Sequence, residues 1–137
     1  MTSPRHPVVL IVDDEENILR SLRRLFKDKP FRTVATTDPC EALCFVREEP
    51  VAVLVTDHRM PTLDGDRLIA EVKAMDERVV CIRLTGYADL DAPRAASPQA
   101  IVFRTVEKPW DEGEISAAVH DALRHYDGAP GPEPTNA

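Results

Sequence analysis

The most informative segment of the chain is Val51-Ala52-Val53-Leu54-Val55-Thr56-Asp57-His58-Arg59-Met60-Pro61. Its unbroken run of apolar and β-branched residues predicts a strand buried on both faces, as in the middle of a parallel sheet. The strand ends at an acidic residue, and Pro61 prevents a regular continuation. Because open α/β sheets bind their ligands beyond the carboxyl ends of the strands, Asp57 lies where such folds do their chemistry.

Strand and helix patterns alternate along the rest of the chain. Strands are predicted at residues 8–12, 31–36, 51–57, 79–84 and 101–106, the second less buried and nearer an edge. Helices are predicted at about 15–29, 39–49, 66–75, 88–97 and 111–126, the first capped by Asp14. Pro93 and Pro98 should leave the fourth helix short or distorted. Five strands alternating with five helices predict an α/β fold, a parallel sheet covered on both faces.

Length and charge narrow the class of protein. The 137 residues predict one domain at 1–127, followed by a proline-rich stretch at 128–137 that is a disordered tail or the start of a linker. A net charge of −7 argues against binding to nucleic acid or to an anionic membrane. We see neither a signal peptide nor a membrane span, and expect a soluble cytoplasmic protein.

The three cysteines are expected to be reduced thiols in apolar surroundings, with Cys44 on the core side of its helix. Cys40 and Cys44 are at helical spacing, but a zinc site is disfavoured because no further ligand pattern accompanies them.

Polar residues follow four of the five predicted strands. Asp13 and Asp14 follow the first, Asp57 the third, Thr85 the fourth and Lys108 the fifth. Each alone has an ordinary explanation, such as a helix cap at Asp14 or a solvated lysine at Lys108. Because the carboxyl ends of parallel strands meet at one edge, however, these side chains should converge.

A cluster of three carboxylates needs a cation. Each pair of charges 4 Å apart costs about 4 kcal/mol at an effective dielectric constant of about 20. Hard oxygen ligands favour Mg²⁺, which binds through one or two carboxylates and keeps several waters. A carboxylate beside Mg²⁺ and a fixed lysine suits phosphoryl transfer: Asp57 attacks phosphorus and forms an aspartyl phosphate, while Lys108 and the metal stabilise the charge. Thr85 can then donate its hydroxyl to a phosphoryl oxygen.

From about residue 7 to 126 the chain resembles a response-regulator receiver domain of bacterial two-component signalling. The motifs that carry the resemblance are Val12-Asp13-Asp14-Glu15, Asp57-His58-Arg59-Met60-Pro61 with Asp64-Gly65, Leu84-Thr85-Gly86-Tyr87-Ala88, and Lys108-Pro109-Trp110. The resemblance implies a flavodoxin-like, doubly wound sheet in the order 2-1-3-4-5, and a cis peptide before Pro109.

The resemblance also implies the roles of the site residues. Asp57 would accept a phosphoryl group from a sensor histidine kinase. Asp13, Asp14 and Asp57, with the backbone carbonyl of Arg59, would hold Mg²⁺. Thr85 and Lys108 would be the switch hydroxyl and the phosphate-binding cation. Catalysis would be limited to self-phosphorylation and self-dephosphorylation, so we do not expect a metabolic enzyme.

The chain departs from the family in two places. Thr105 stands where receivers usually carry a mobile aromatic residue, for which Tyr87 or Phe103 could substitute, although ordinary packing is favoured for both. The prolines of the fourth helix predict an atypical signalling face. His58 is expected to be an exposed bystander, and Arg59 to influence the lifetime of the acyl phosphate.

Other functions stay open. The main alternative is a protein-interaction module that keeps the receiver fold and acts without phosphorylation. A flavodoxin-like cofactor binder is disfavoured because the acids at 13–16 would repel phosphate. A phosphatase of the haloacid-dehalogenase type is disfavoured because the first strand lacks the Asp-x-Asp pattern. Expected partners are the kinase and an effector domain or downstream protein, with homodimerisation left open.

Overall fold

The computed structural model describes residues 7–61, 63–86 and 102–128. Its strands are β1 (Val8–Val12), β2 (Arg32–Thr36), β3 (Val51–Asp57), β4 (Val80–Thr85) and β5 (Arg104–Glu107). The helices within these ranges are α1 (Glu16–Leu25), α2 (Pro39–Glu48), α3 (Gly65–Met75) and α4 (Glu112–Gly128). All strand pairs are parallel, and the order β2-β1-β3-β4-β5 confirms the predicted doubly wound sheet.

The strands align so that their carboxyl ends form one edge. β3 lies between β1 and β4, with Val12 opposite Thr56 and Asp57 opposite Leu84. On β4, Thr85 is opposite Glu107, the residue before Lys108. Asp13, Asp14, Asp57, Thr85 and Lys108 therefore lie at or directly after strand ends, along the same edge of the sheet.

A hydrophobic core lies on each face of the sheet. α1 and α4 cover one face through residues such as Leu22, Phe26 and Ile115, all of them 1% exposed or less. α2 and α3 cover the other through residues such as Val46 and Leu68. Every residue of β1, β3 and β4 is buried, which anchors the edge that carries the polar side chains.

Several local predictions are confirmed. The Asp38 side chain accepts a hydrogen bond from the Cys40 amide (2.9 Å), with Pro39 at the first helical position. β2 is an edge strand, with an exposed or half-buried residue at every position. The Lys108–Pro109 peptide is cis.

Other local predictions are wrong. The N-cap of α1 is Glu15 rather than Asp14. β5 begins at Arg104 rather than at residue 101, so Phe103 precedes the strand. Cys40 and Cys44 are exposed, and only Cys81 is buried, because α2 turns Ala42 and Val46 to the core instead.

The predicted fourth helix at 88–97, Tyr87 and the tail after Gly128 lie outside the described residues. Within the described ranges, no helix combines the length and the apolar character that crossing a bilayer requires.

Candidate functional site

Three carboxylates meet at the carboxyl edge of the sheet. Asp13 and Asp14 directly follow β1, and Asp57 ends β3. One carboxylate oxygen of each lies within 4.8 Å of the others. Asp13 is fully buried, Asp57 is 6% exposed and Asp14 is exposed. The predicted convergence of these three residues is therefore present in the structure.

Lys108 reaches into the acidic cluster. Its Nζ is 3.0 Å from Asp57 Oδ1 and 3.1 Å from Asp13 Oδ2, and only 19% of its side chain is exposed. Its backbone amide donates to the Thr85 carbonyl oxygen at 2.7 Å, which ties the end of β5 to β4. The lysine is thus a fixed cation that bridges two acids rather than a solvated side chain.

Burial and charge shift the pKa values of these groups. Burial raises the pKa of Asp13 from 3.8 to about 6, against the lowering effect of the Glu15 amide, which donates to Asp13 Oδ1 at 2.9 Å. Burial also raises the pKa of Asp57, although Lys108 opposes the shift. For Lys108, burial favours the neutral amine, but hydrogen bonds and charges from Asp57 and Asp13 together raise its pKa. Ionisation of Asp13 and Asp57 is therefore disfavoured unless a further cation binds.

The two remaining predicted site residues are Thr85 and Arg59. Thr85 is buried, and its hydroxyl has no hydrogen-bond partner among the described residues. A buried hydroxyl without a partner is uncommon, and this one is free to donate a hydrogen bond to an oxygen atom of a bound ligand. Arg59 lies in the loop after β3 with an exposed side chain, and the role of its carbonyl as a metal ligand stays a prediction.

The donor set fits a divalent cation. Three carboxylates gathered at one point, two of them buried with raised pKa values, are the hard oxygen ligands that Mg²⁺ prefers. Asp13, Asp14 and Asp57 could hold such an ion, and Lys108 Nζ lies 3.0 Å from Asp57 Oδ1.

Sequence reasoning missed a set of polar and charged side chains beside Asp57. His58 is half-buried rather than an exposed bystander, and its Nε2 lies 3.2 Å from Asp66 Oδ2. Asp66 Oδ1 accepts from Arg83 Nη1 at 2.8 Å, and Arg83 Nη2 is 3.4 Å from the Thr105 hydroxyl. The available signal was an arginine between Ile82 and Leu84 in a buried strand, where a guanidinium requires partners.

Phe103 does not take the place of the missing aromatic at Thr105. Its ring packs on the α1 and α4 side of the sheet, 5.1 Å from the His125 ring. Thr105 instead faces Arg83, whose strand neighbours Val79 and Cys81 belong to the core beneath α2 and α3. Phe103 is an ordinary packing residue.

Comparison with known proteins agrees with this geometry. Residues 9–120 match the model of the response regulator receiver domain. The hydrogenase transcriptional regulatory protein HoxA of Cupriavidus necator is 31% identical over 88% of this chain and 25% of its own length. The transcriptional regulatory protein PrrA of Mycobacterium tuberculosis is 34% identical over 90% of this chain and 52% of its own. The chain thus spans between a quarter and about half of these curated relatives.

A solved structure extends the agreement to three dimensions. The signal receiver domain of an HD domain-containing protein from Pseudomonas fluorescens superimposes with a TM-score of 0.82 at 30% sequence identity. The superposition covers 90% of this chain and 98% of that one. Sheet order, the acidic edge, the fixed lysine and the family match lead to the same assignment: this chain belongs to the response regulator receiver domain family, a module of two-component systems.

Proposed function

We propose that this receiver domain accepts a phosphoryl group on Asp57 from a sensor histidine kinase, in a reaction that depends on Mg²⁺. The observation that carries the proposal is the bridging position of Lys108 between Asp57 and Asp13. It provides one fixed positive charge beside the carboxylate that would attack phosphorus.

Asp57 is prepared for this attack by its hydrogen bonds. Its Oδ1 accepts from Lys108 Nζ and from the His58 amide (2.9 Å), whereas Oδ2 accepts none from the described residues. Oδ2 is therefore the oxygen that forms the new bond to phosphorus, while the bond between phosphorus and the donor histidine nitrogen breaks and the imidazole keeps the electron pair. Lys108 then balances charge on the phosphoryl oxygens.

Asp13 and Asp14 would hold the metal together with Asp57. When bound, Mg²⁺ supplies positive charge to the transferring phosphoryl group. Thr85 contributes after transfer: its buried hydroxyl gains a phosphoryl oxygen as an acceptor, and this new hydrogen bond favours the phosphorylated conformation. Hydrolysis of the acyl phosphate returns Asp57 to its starting state, so the catalytic activity of the domain is limited to its own phosphorylation and dephosphorylation.

The partners follow from the chemistry. The donor would be the phosphohistidine of a kinase in the cytoplasm. HoxA and PrrA are named transcriptional regulators and are longer than this chain. We infer that the output here also comes from an effector domain or a downstream protein, and that the chain itself does not contact nucleic acid.

Intact mass spectrometry tests the proposal. The protein is incubated with Mg²⁺ and acetyl phosphate, and we expect the mass of one added phosphoryl group, lost when EDTA replaces Mg²⁺ and absent in Asp57→Asn. Asp28→Asn removes the same charge at an exposed position in the turn after α1 and should be phosphorylated normally. No adduct on the wild-type chain, from acetyl phosphate or a phosphorylated kinase, would favour the interaction module that acts without phosphorylation.

A further inference from the structure

A chain of charged and polar side chains connects the edge strand β5 to the residue after the phosphoacceptor. It runs from the Thr105 hydroxyl through Arg83 to Asp66, and from Asp66 to the imidazole of His58. The Asp66–Arg83 contact is the shortest, at 2.8 Å between Nη1 and Oδ1. Because a carboxylate only accepts hydrogen bonds, the His58 Nε2 must carry hydrogen to bond Asp66 Oδ2.

His58 is held to α3 at two points. Its carbonyl oxygen accepts from the Gly65 amide at 2.9 Å, and its imidazole contacts Asp66, the next residue of the helix. Its own amide lies 2.8 Å from the Leu84 carbonyl oxygen and 2.9 Å from Asp57 Oδ1. The position of His58 therefore ties the segment directly after β3 to the start of α3, and it fixes one donor to the Asp57 carboxylate.

The Asp66–Arg83 ion pair lies in a largely buried position, where apolar side chains are more usual. The Arg83 side chain is 9% exposed and that of Asp66 is 17% exposed. Removing two charges from water costs several kcal/mol per ion, and apolar replacements of buried pairs are often as stable or more so. Fixed geometry, rather than stability, is therefore the contribution that we examine for this pair.

We propose that Asp66 and Arg83 are positioning residues for the reaction at Asp57. By holding the His58 imidazole, they fix the loop that begins at His58 and carries Arg59, so that the loop and the Asp57 carboxylate keep the arrangement that binds the metal and receives phosphorus. This inference rests on the proposed function of Asp57, and adds a dependence of Mg²⁺ affinity on a pair of side chains outside the acidic cluster.

Isothermal titration calorimetry with Mg²⁺ tests the inference on the full chain. Partners that orient a metal ligand are worth about 10- to 100-fold in affinity. Since Asp66 and Arg83 act through the loop and leave the three carboxylates in place, we expect Asp66→Asn and Arg83→Gln each to raise the Mg²⁺ dissociation constant about 3- to 10-fold. The double variant should match the single ones, because each removes the same ion pair.

Arg104→Gln is the matched control. Arg104 lies on the neighbouring strand β5 and pairs with Asp121 of α4 at 2.9 Å, away from the loop. The Arg104→Gln protein should bind Mg²⁺ with the affinity of the wild type. His58→Leu removes the imidazole contact but leaves the buried ion pair in place; it should also raise the dissociation constant, and it serves if a single charge removal prevents folding.

The outcomes separate the two proposals. Wild-type affinity and wild-type phosphorylation rate in folded Asp66→Asn and His58→Leu would overturn the positioning role while leaving Asp57 as the acceptor. Additive losses of Mg²⁺ affinity in the Asp66→Asn, Arg83→Gln double variant would overturn the positioning role as well, since the two residues would then act separately. A wild-type chain that binds no Mg²⁺ and takes no phosphoryl group would instead overturn the proposed function, and the positioning role with it.

Discussion

Replacing Asp13 by asparagine should stabilise the metal-free protein. Asp13 is fully buried, and burial raises its pKa from 3.8 to about 6. The folded state therefore disfavours the ionised carboxylate more than the unfolded state does. Asparagine has nearly the same shape and can accept the Glu15 amide, but it carries no charge that must be removed from water.

The size of the effect follows from the shift. A change from 3.8 to about 6 in the pKa corresponds to about 3 kcal/mol in the free energy of unfolding. Because the folded pKa is raised, the wild type has its full stability below pH 3.8, where Asp13 is neutral in both states, and loses about 3 kcal/mol of it as pH rises through 6. At about pH 8 the Asp13→Asn protein should exceed the wild type by about 2–3 kcal/mol, and at about pH 5 the difference should fall to roughly half.

Urea unfolding in EDTA at both pH values measures the difference. Asp28→Asn makes the same change in net charge on the exposed surface and should stay within about 0.5 kcal/mol of the wild type. Saturating Mg²⁺ at the higher pH should stabilise the wild type more than Asp13→Asn. An Asp13→Asn protein no more stable than the wild type at the higher pH would refute the argument from burial, as would a difference that does not change with pH.

Two further predictions concern packing and thiols. Gly65→Ala should destabilise the fold by about 3 kcal/mol or more in urea unfolding, because an added Cβ would lie 1.9 Å from the Asp57 carbonyl oxygen. Gly113→Ala is the control, because its Cβ would meet only a side-chain oxygen of Asp111, at 3.0 Å. The control change should alter the free energy of unfolding by no more than about 1 kcal/mol. A marginal effect of Gly65→Ala would contradict the close approach of α3 to β3. In native protein at neutral pH, iodoacetamide should modify the exposed Cys40 and Cys44 before the buried Cys81, whose pKa burial raises to about 12; equal rates by peptide mapping would contradict the burial of Cys81.

The order of the strands and the edge that carries the site could be predicted because the signals are strong and local. β1 is a run of apolar residues followed directly by two acids, β3 is one that ends in an acid, and parallel strands place their ends together. The helix cap at Asp38 and Pro39 has a sequence signature of its own. The error at Asp14 arose because an acid before a helix is also what a metal cluster requires, and sequence alone does not separate the two uses.

The polar contacts of Arg83 and Asp66 could not be predicted in the same way. They join residues 17 positions apart, one on β4 and one on α3. Nothing in the local pattern of either segment specifies the partner, although the arginine within a buried strand shows that one is needed. The prediction that Cys40 and Cys44 lie in apolar surroundings failed for a related reason. α2 is short, and its sequence allows more than one face of the helix to pack against the core.

The balance of charge at the sheet edge predicts that metal, proton and phosphate should affect one another at the proposed site. Three carboxylates face one ammonium group, so the fully ionised cluster has an excess of two negative charges. A divalent cation removes that excess, and a proton on Asp13 removes half of it, which is why acid should compete with Mg²⁺ below about pH 6. A phosphoryl group on Asp57 would replace one negative charge by about two, so phosphorylation would increase the need for both the metal and Lys108. The two cations should therefore be held more tightly after phosphorylation than before, and by linkage they favour the phosphorylated state to the same extent.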